Sequence, residues 1–254
     1  MWQRILMLGF LWVVASAGGA LALERPPTLE SLVGERLEFR VRWGVITAAS
    51  ATLEVLDAGH GRIKLRAKAR TAAVVDAIYP VRDQIDSTVT LPGGVVSRYL
   101  KTSKEGWGDR RQVEVVFDPG AGTSRYFKDS EFQRLLLVPP GVQDPLSSFY
   151  AYRTREIPLD GDVTLDITDG RKLVGGVTSV LGREVVETPA GSFHTVRIEP
   201  KIEGIGGIFK KSPGARLFIW LTDDGWRRPV KMQSKVVVGH FTAELVKITP
   251  PAGS

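Results

Sequence analysis

The sequence contains no cysteine. That single absence removes disulfides, thiolate metal sites, iron–sulfur clusters and cysteine nucleophiles together. Histidine is scarce: His60, His194 and His240 lie in three separate segments, with no local spacing of the kind that metal ligands show. A G-x-S-x-G elbow is missing, so an α/β-hydrolase reading lacks its nucleophile motif. After the first two dozen residues, no stretch approaches the roughly 20 apolar residues that a membrane-crossing helix needs.

What is present describes a folded globular protein. Of the 254 residues, 43% are hydrophobic and 24% charged, which excludes a disordered tail, a collagen-like fibre and a multi-span membrane protein. The 27 glycines and 15 prolines predict many turns without low complexity.

The N-terminus reads as an export signal. Arg4 supplies a positive charge, residues 5–15 are apolar or Gly, and Ala20-Leu21-Ala22 supplies an A-x-A site. The expectation is a signal peptide over 1–22, cleaved near Ala22, and a periplasmic all-β domain over 23–254. The competing reading is an uncleaved anchor in the inner membrane, because residues 5–23 contain only Ser16 as a polar side chain.

Period-two alternation dominates the rest of the chain. It is cleanest over Arg36-Leu37-Glu38-Phe39-Arg40-Val41-Arg42-Trp43 and over residues 62–70. Further strands are predicted over 51–56, 84–90, 95–102, 112–117 and 123–127, then 163–168, 172–180, 183–187, 193–199, 216–222, 230–238 and 240–248. Asp169-Gly170 predicts a type I′ hairpin turn, and Asp223-Asp224-Gly225 reads as a turn before it reads as a pair of catalytic carboxylates. One helix is predicted over 144–153, with Asp144 as its cap, Pro145 at its first position, and Leu146, Phe149, Tyr150 and Arg153 on one face. A weaker helix is predicted over 72–79, stopped by Pro80. These elements imply an all-β fold: one strongly curved antiparallel sheet or incomplete barrel covered by a helix.

Several segments, in order, carry a resemblance. They are 37–45 (LEFRVRWGV), Tyr79-Pro80-Val81-Arg82-Asp83, Lys104-Glu105-Gly106 followed by Val115-Val116-Phe117-Asp118, and 144–153 (DPLSSFYAYR). Thr188-Pro189-Ala190-Gly191-Ser192-Phe193 and Ile219-Trp220-Leu221-Thr222-Asp223-Asp224, before Arg228-Pro229-Val230, complete the set. The chain thereby resembles the secreted bacterial domain-of-unknown-function family 3108, DUF3108. The resemblance implies compartment and fold and brings no established reaction. By analogy the architecture looks like the incomplete barrel of the lipoprotein carriers LolA and LolB, a likeness that carries no substrate.

Three functions of different class follow: a carrier or binding module for a lipid-like or envelope-derived ligand, a non-catalytic interaction module of the envelope, and a hydrolase whose residues meet only in space. No catalytic residue, metal or cofactor is expected. Under the first reading the candidate ligand residues are Trp43, Tyr79, Arg82, Asp144, Phe149 and Trp220, with Ile205 and Phe209 from a glycine-rich loop that could act as a lid or touch lipid. That loop, 204–212, has Phe209-Lys210 where a Walker loop requires Gly directly before Lys-Ser, so it is no phosphate loop. The bland alternatives are core positions for Trp43 and Trp220, and a structural ion pair of Arg82 with Asp83 or Asp144.

Arg62, Lys64, Arg66, Lys68 and Arg70 alternate and therefore share one strand face. The face is either solvated, with Glu38 and Glu54 offsetting part of the charge, or it meets an anionic envelope component or a membrane surface. No nucleic-acid partner is expected, since the export signal argues against one and no binding motif is present.

Overall fold

The computed structural model describes residues 25–155, 161–201, 216–235 and 240–252. Alternation along the chain becomes a first meander of eight strands. These are β1 (Arg36–Trp43), β2 (Ile46–Gly59), β3 (Arg62–Thr71), β4 (Val81–Thr90), β5 (Val95–Glu105), β6 (Arg111–Asp118), β7 (Thr123–Lys128) and β8 (Glu131–Leu137). A short helix α1 (Ala73–Asp76) joins β3 to β4, and the principal helix α2 (Pro145–Thr154) follows β8. A second meander then runs through β9 (Asp162–Thr168), β10 (Leu173–Thr188), β11 (Gly191–Lys201), β12 (Arg216–Thr222), β13 (Pro229–Lys235) and β14 (His240–Thr249).

All fourteen strands belong to one open antiparallel sheet, ordered β8-β7-β6-β5-β4-β3-β2-β1-β14-β13-β12-β11-β10-β9. First and last strands therefore meet in the middle, in a register running from Arg36↔Thr249 to Trp43↔Phe241. Strands β8 and β9, neighbours in sequence, form the two outer edges. The fold is all-β with one substantial helix, and the sheet is not closed into a barrel.

The sheet is strongly curved, and its far edge folds onto its own inner face. A Cβ on Gly170, in the β9–β10 turn, would lie 2.6 Å from Val115 Cγ2 on β6 and 2.8 Å from Tyr126 Cδ2 on β7. The chain leaving β8 runs beside β9: Gln143 N–H donates to the Asp166 carbonyl (2.8 Å) and Thr168 N–H to the Gln143 carbonyl (2.9 Å).

Helix α2 fills part of the concavity. Its start follows from local chemistry: Asp144 Oδ1 accepts from the Leu146 and Ser147 amides (2.7 and 3.0 Å), and Ser147 Oγ accepts from the Asp144 amide (2.9 Å). This capping box, with Pro145 at the first turn, is the start expected from the sequence. Leu146 and Tyr150 pack with Leu32, Val55, Ile63, Leu65 and Val89, and each fully buried large side chain contributes about 1.5–3 kcal/mol. Tyr152, on another side, packs with Leu165 and Ile167 of β9.

Four expectations are corrected. Strand β8 was not foreseen, because Glu131-Phe132-Gln133-Arg134-Leu135-Leu136-Leu137 lacks alternation; it pairs on one edge only, with β7. The strands expected at 172–180 and 183–187 are a single strand, β10, with a bulge between Val180 and Gly182. The turn at Asp169-Gly170 is not type I′, which needs positive φ at both central residues. Only Gly170 has it, and Asp169 Oδ1 and Thr168 Oγ1 instead accept the Arg171 and Gly170 amides. The weak helix at 72–79 shortens to α1, although Tyr79 N–H still donates to the Val75 carbonyl before Pro80. Residues 1–22, the lid candidates Ile205 and Phe209, and the end of the strand expected at 230–238 lie outside the described residues.

Candidate functional site: a cavity under the helix

A cavity of about 400 Å³ lies between α2, the inner face of β3 and β4, the β4–β5 turn and the segment before β1. Its apolar walls are Leu65, Val89, Leu91 and Ala151. Gln143, Ser147 and Thr154 bring polar groups, and Glu30 and Arg155 place one charge of each sign at its boundary. Leu65 and Val89 reach it by strand alternation. Ser147, Ala151 and Thr154 reach it because i, i+4 and i+7 share one face of a helix. Small side chains on that face leave the space that Leu146 and Tyr150 close elsewhere. This stripe is legible in the sequence as small and polar residues at helical spacing, beside the apolar stripe of Leu146, Phe149 and Tyr150.

Helix and cavity wall are anchored by buried polar groups. Asp144 is fully buried, and Ser87 Oγ of β4 donates to its Oδ2. Burial pushes the Asp144 carboxyl above the ordinary aspartate range, against the lowering effect of its hydrogen bonds. At the other end of α2, Arg153 Nη1 lies 2.7 Å from Glu35 Oε1, and Arg228 Nε donates to Glu35 Oε2 (3.0 Å). Arg153 Nε and Nη2 also donate to the carbonyls of Arg227 and Trp226. Nothing in the sequence marks this cluster, since its members are far apart along the chain.

None of the described ligand candidates lines this cavity. Trp43 is not a core residue: it stands exposed at the end of β1, its ring 6.3 Å from that of Phe241. Tyr79 is exposed after α1. Arg82 pairs with neither Asp83 nor Asp144; it binds Asp76 of α1, with Nη2 donating to Oδ2 at 2.7 Å. Its register opposite Arg70 puts it on the outer face, whereas Asp144 is inside. Arg82 and Thr71 hold the Asp76 carboxyl well below the usual range. Phe149 is half-buried on α2 and packs against two clusters: that of Leu146 and Tyr150 with the inner face of β2–β4, and that of Ile198, Ile219 and Leu221 on β11 and β12. Trp220 is buried with Leu37, Phe39 and Leu245, and its Nε1–H donates to Glu184 (2.9 Å).

The basic row lies on the face of β3 opposite Ile63 and Leu65, and its charges have different fates. Arg66 makes a two-pronged contact with Asp86 (2.7 and 2.9 Å). Lys68 Nζ is 3.4 Å from Glu54, which also binds Arg36. Glu38 serves Arg36, not the row. Arg62, Lys64 and Arg70 have no ion pair among the described residues. Asp224 Oδ1 accepts the Trp226 and Arg227 amides, and Asp223 binds Arg183, so this pair shapes the β12–β13 turn.

The profile of one family matches residues 38–246, described as a protein of unknown function, DUF3108. The chain belongs to the DUF3108 family. No curated protein matches it. Among solved structures, the β-barrel-like protein of domain of unknown function DUF1849 from Brucella abortus superposes with a TM-score of 0.54 at 14% identity, covering 86% of this chain and 98% of that one. An exported protein with a YmcC-like fold from Bacteroides fragilis gives 0.33 at 11% identity, covering 89% and 99%. The DUF1849 likeness shows a shared fold, and DUF3108 membership assigns no reaction. No helix among the described residues is long and apolar enough to cross a membrane.

Proposed function

We propose that this DUF3108 protein is an exported, non-catalytic envelope protein that binds a small amphipathic or lipid-like ligand. The observation that carries the reading is the cavity under α2. At about 400 Å³ it falls within the range of small-molecule sites, roughly 300–1,000 Å³, and it combines apolar walls with a few polar groups as such sites do. It has room for one short chain and not for a whole two-chain phospholipid. Export is supported by the basic, apolar and small-residue regions of the N-terminus.

A dansyl-labelled fatty acid is the direct probe. Its fluorescence should rise on mixing with the protein, and Ala151→Trp, which fills the cavity, should abolish the rise while leaving the far-UV circular dichroism unchanged. An equal rise in parent and variant, or none in the parent, refutes the reading. N-terminal sequencing of the protein from the envelope fraction should begin near Leu23; intact Met1 in membranes would mean an anchor.

One observation favours an interaction module instead. Strand β8 is a sheet edge with Phe132, Leu135 and Leu137 exposed, the kind of edge that accepts an added strand. Leu135→Lys would then abolish capture of a partner without touching the fatty-acid signal.

A further inference from the structure

Three neighbouring turns at one end of the sheet differ chemically from the other described turns. Alternate hairpins of a meander fall at the same end, so the β1–β2, β3–β4 and β5–β6 connections share one rim. That rim carries Val45 at 92% exposure, Val74 and Ile78 each at 77%, and Trp107 at 79%, with Trp43 and Tyr79 beside them. The opposite turns consist of Gly59-His60-Gly61, Pro92-Gly93-Gly94, Pro119-Gly120, Pro189-Ala190 and Asp223-Asp224-Gly225, and no large apolar side chain in them is exposed. An apolar side chain at a loop tip does nothing for the core. Several gathered at one end, with none in the turns at the other, need a covering.

The second and third connections touch, and the second is tied to β2 beside the first. The Ala72 amide donates to the Ala48 carbonyl (2.9 Å), tying α1 to β2 near the first hairpin. The Tyr79 ring lies so close to Gly106 that a Cβ there would come within 2.8 Å of it. Trp107 shares a hollow with Ala73, Ala77 and Arg70. Between and behind the apolar tips stand cations. Arg70, Lys104, Arg110 and Arg111 are exposed, without an ion pair among the described residues; the acids nearby are Glu105, Asp109, Asp129 and Asp76, of which Asp76 is held by Arg82 and Asp129 accepts the Gln112 amide.

We infer that this rim docks on a lipid bilayer with anionic headgroups. The aromatic and aliphatic tips enter the headgroup boundary, where Trp and Tyr are favoured, and the four free cations meet lipid phosphates. Charge complementarity selects this occupant over a protein surface: bare cations beside apolar tips suit a fluid anionic interface and require no shaped counterpart. The inference is independent of what fills the cavity under α2.

The test is sedimentation of the full chain with vesicles of phosphatidylglycerol and, separately, of phosphatidylcholine. The parent should bind phosphatidylglycerol more strongly, and salt should weaken that preference. Val45→Ser/Ile78→Ser/Trp107→Ser, all at exposed sites, should lower the partition coefficient on both vesicles by at least about tenfold. Arg70→Gln/Arg110→Gln/Arg111→Gln should lower binding to phosphatidylglycerol alone. Ala151→Trp should bind vesicles as the parent does, so a failed cavity reading leaves this result untouched. Equal sedimentation of parent and triple-serine variant overturns the inference. So does a parent that ignores vesicles but dimerises in a manner the triple-serine variant loses; the rim would then be a contact between copies of the chain.

Discussion

Arg153 is the bulkiest of the fully buried side chains among the described residues, and it is a charged one. Its guanidinium survives burial because Glu35 and two backbone carbonyls face it, and because it lies over the Tyr150 ring, 5.3 Å from the centroid. Such a cluster adds little over a well-packed apolar one, yet half of it is costly to remove. Arg153→Met should destabilise the protein by about 3–5 kcal/mol in urea unfolding, and adding Glu35→Leu should cost less than the sum of the two singles. Asp144 makes a different prediction. It binds its proton more tightly folded than unfolded, so its contribution to stability falls as pH rises from the ordinary aspartate range through its own raised pKa. Asp144→Asn keeps an acceptor for the Leu146 and Ser147 amides but cannot ionise. The stability of variant minus parent should therefore grow with pH across that interval and then level off; a flat difference would show that burial leaves this carboxyl unshifted.

At the level of elements, β3 shows why a regular charge row does not act as a unit. Arg66→Gln removes both prongs from Asp86 and should cost about 2 kcal/mol, whereas Lys64→Gln should stay within about 0.5 kcal/mol. Urea midpoints of the two variants would separate them. The same strand shows what a sequence makes legible. Alternation predicted which five residues share its outer face, and Glu54 was among the acids expected to offset them; Asp86, which holds Arg66 from the other flanking strand, was not. Helix α2 was legible nearly to the residue because its determinants are local: an acid cap, a proline, and side chains at helical spacing. Strand β8 was not, since an edge strand needs no buried face and so leaves no alternation to read. The candidate site was legible only in outline. A helix over a curved sheet is legible from alternation and capping, but large aromatics are a poor guide to where the space lies. The space lies where side chains are small, at Ser147 and Ala151, and the aromatics at Trp43 and Tyr79 mark the far rim.

For the whole molecule, the decisive contact is the turn after β9 lying on the inner face of β6 and β7. Gly170 permits it, with φ near +83° and no Cβ to strike Val115. Gly44, in the β1–β2 turn, also has positive φ but nothing within 4 Å, and so serves as the control. Gly44→Ala should cost about 1 kcal/mol from backbone strain alone. Gly170→Ala should cost about 1–3 kcal/mol more from overpacking. Equal losses would mean that the sheet's curvature does not depend on this contact.

The pairing of β1 with β14 also sets a timetable for a chain built from its N-terminus. Strands β2 to β7 each gain both partners early, from the segments made just before and just after them. β1 gains β2 at once, but its other edge stays bare until the last strand exists. A chain interrupted before His240 would therefore carry two unfinished edges in what should be the centre of the sheet, on β1 and on β13, with their peptide groups open to any passing strand. The vulnerable interval lasts until β14 emerges, and its ten residues are the ones that close it.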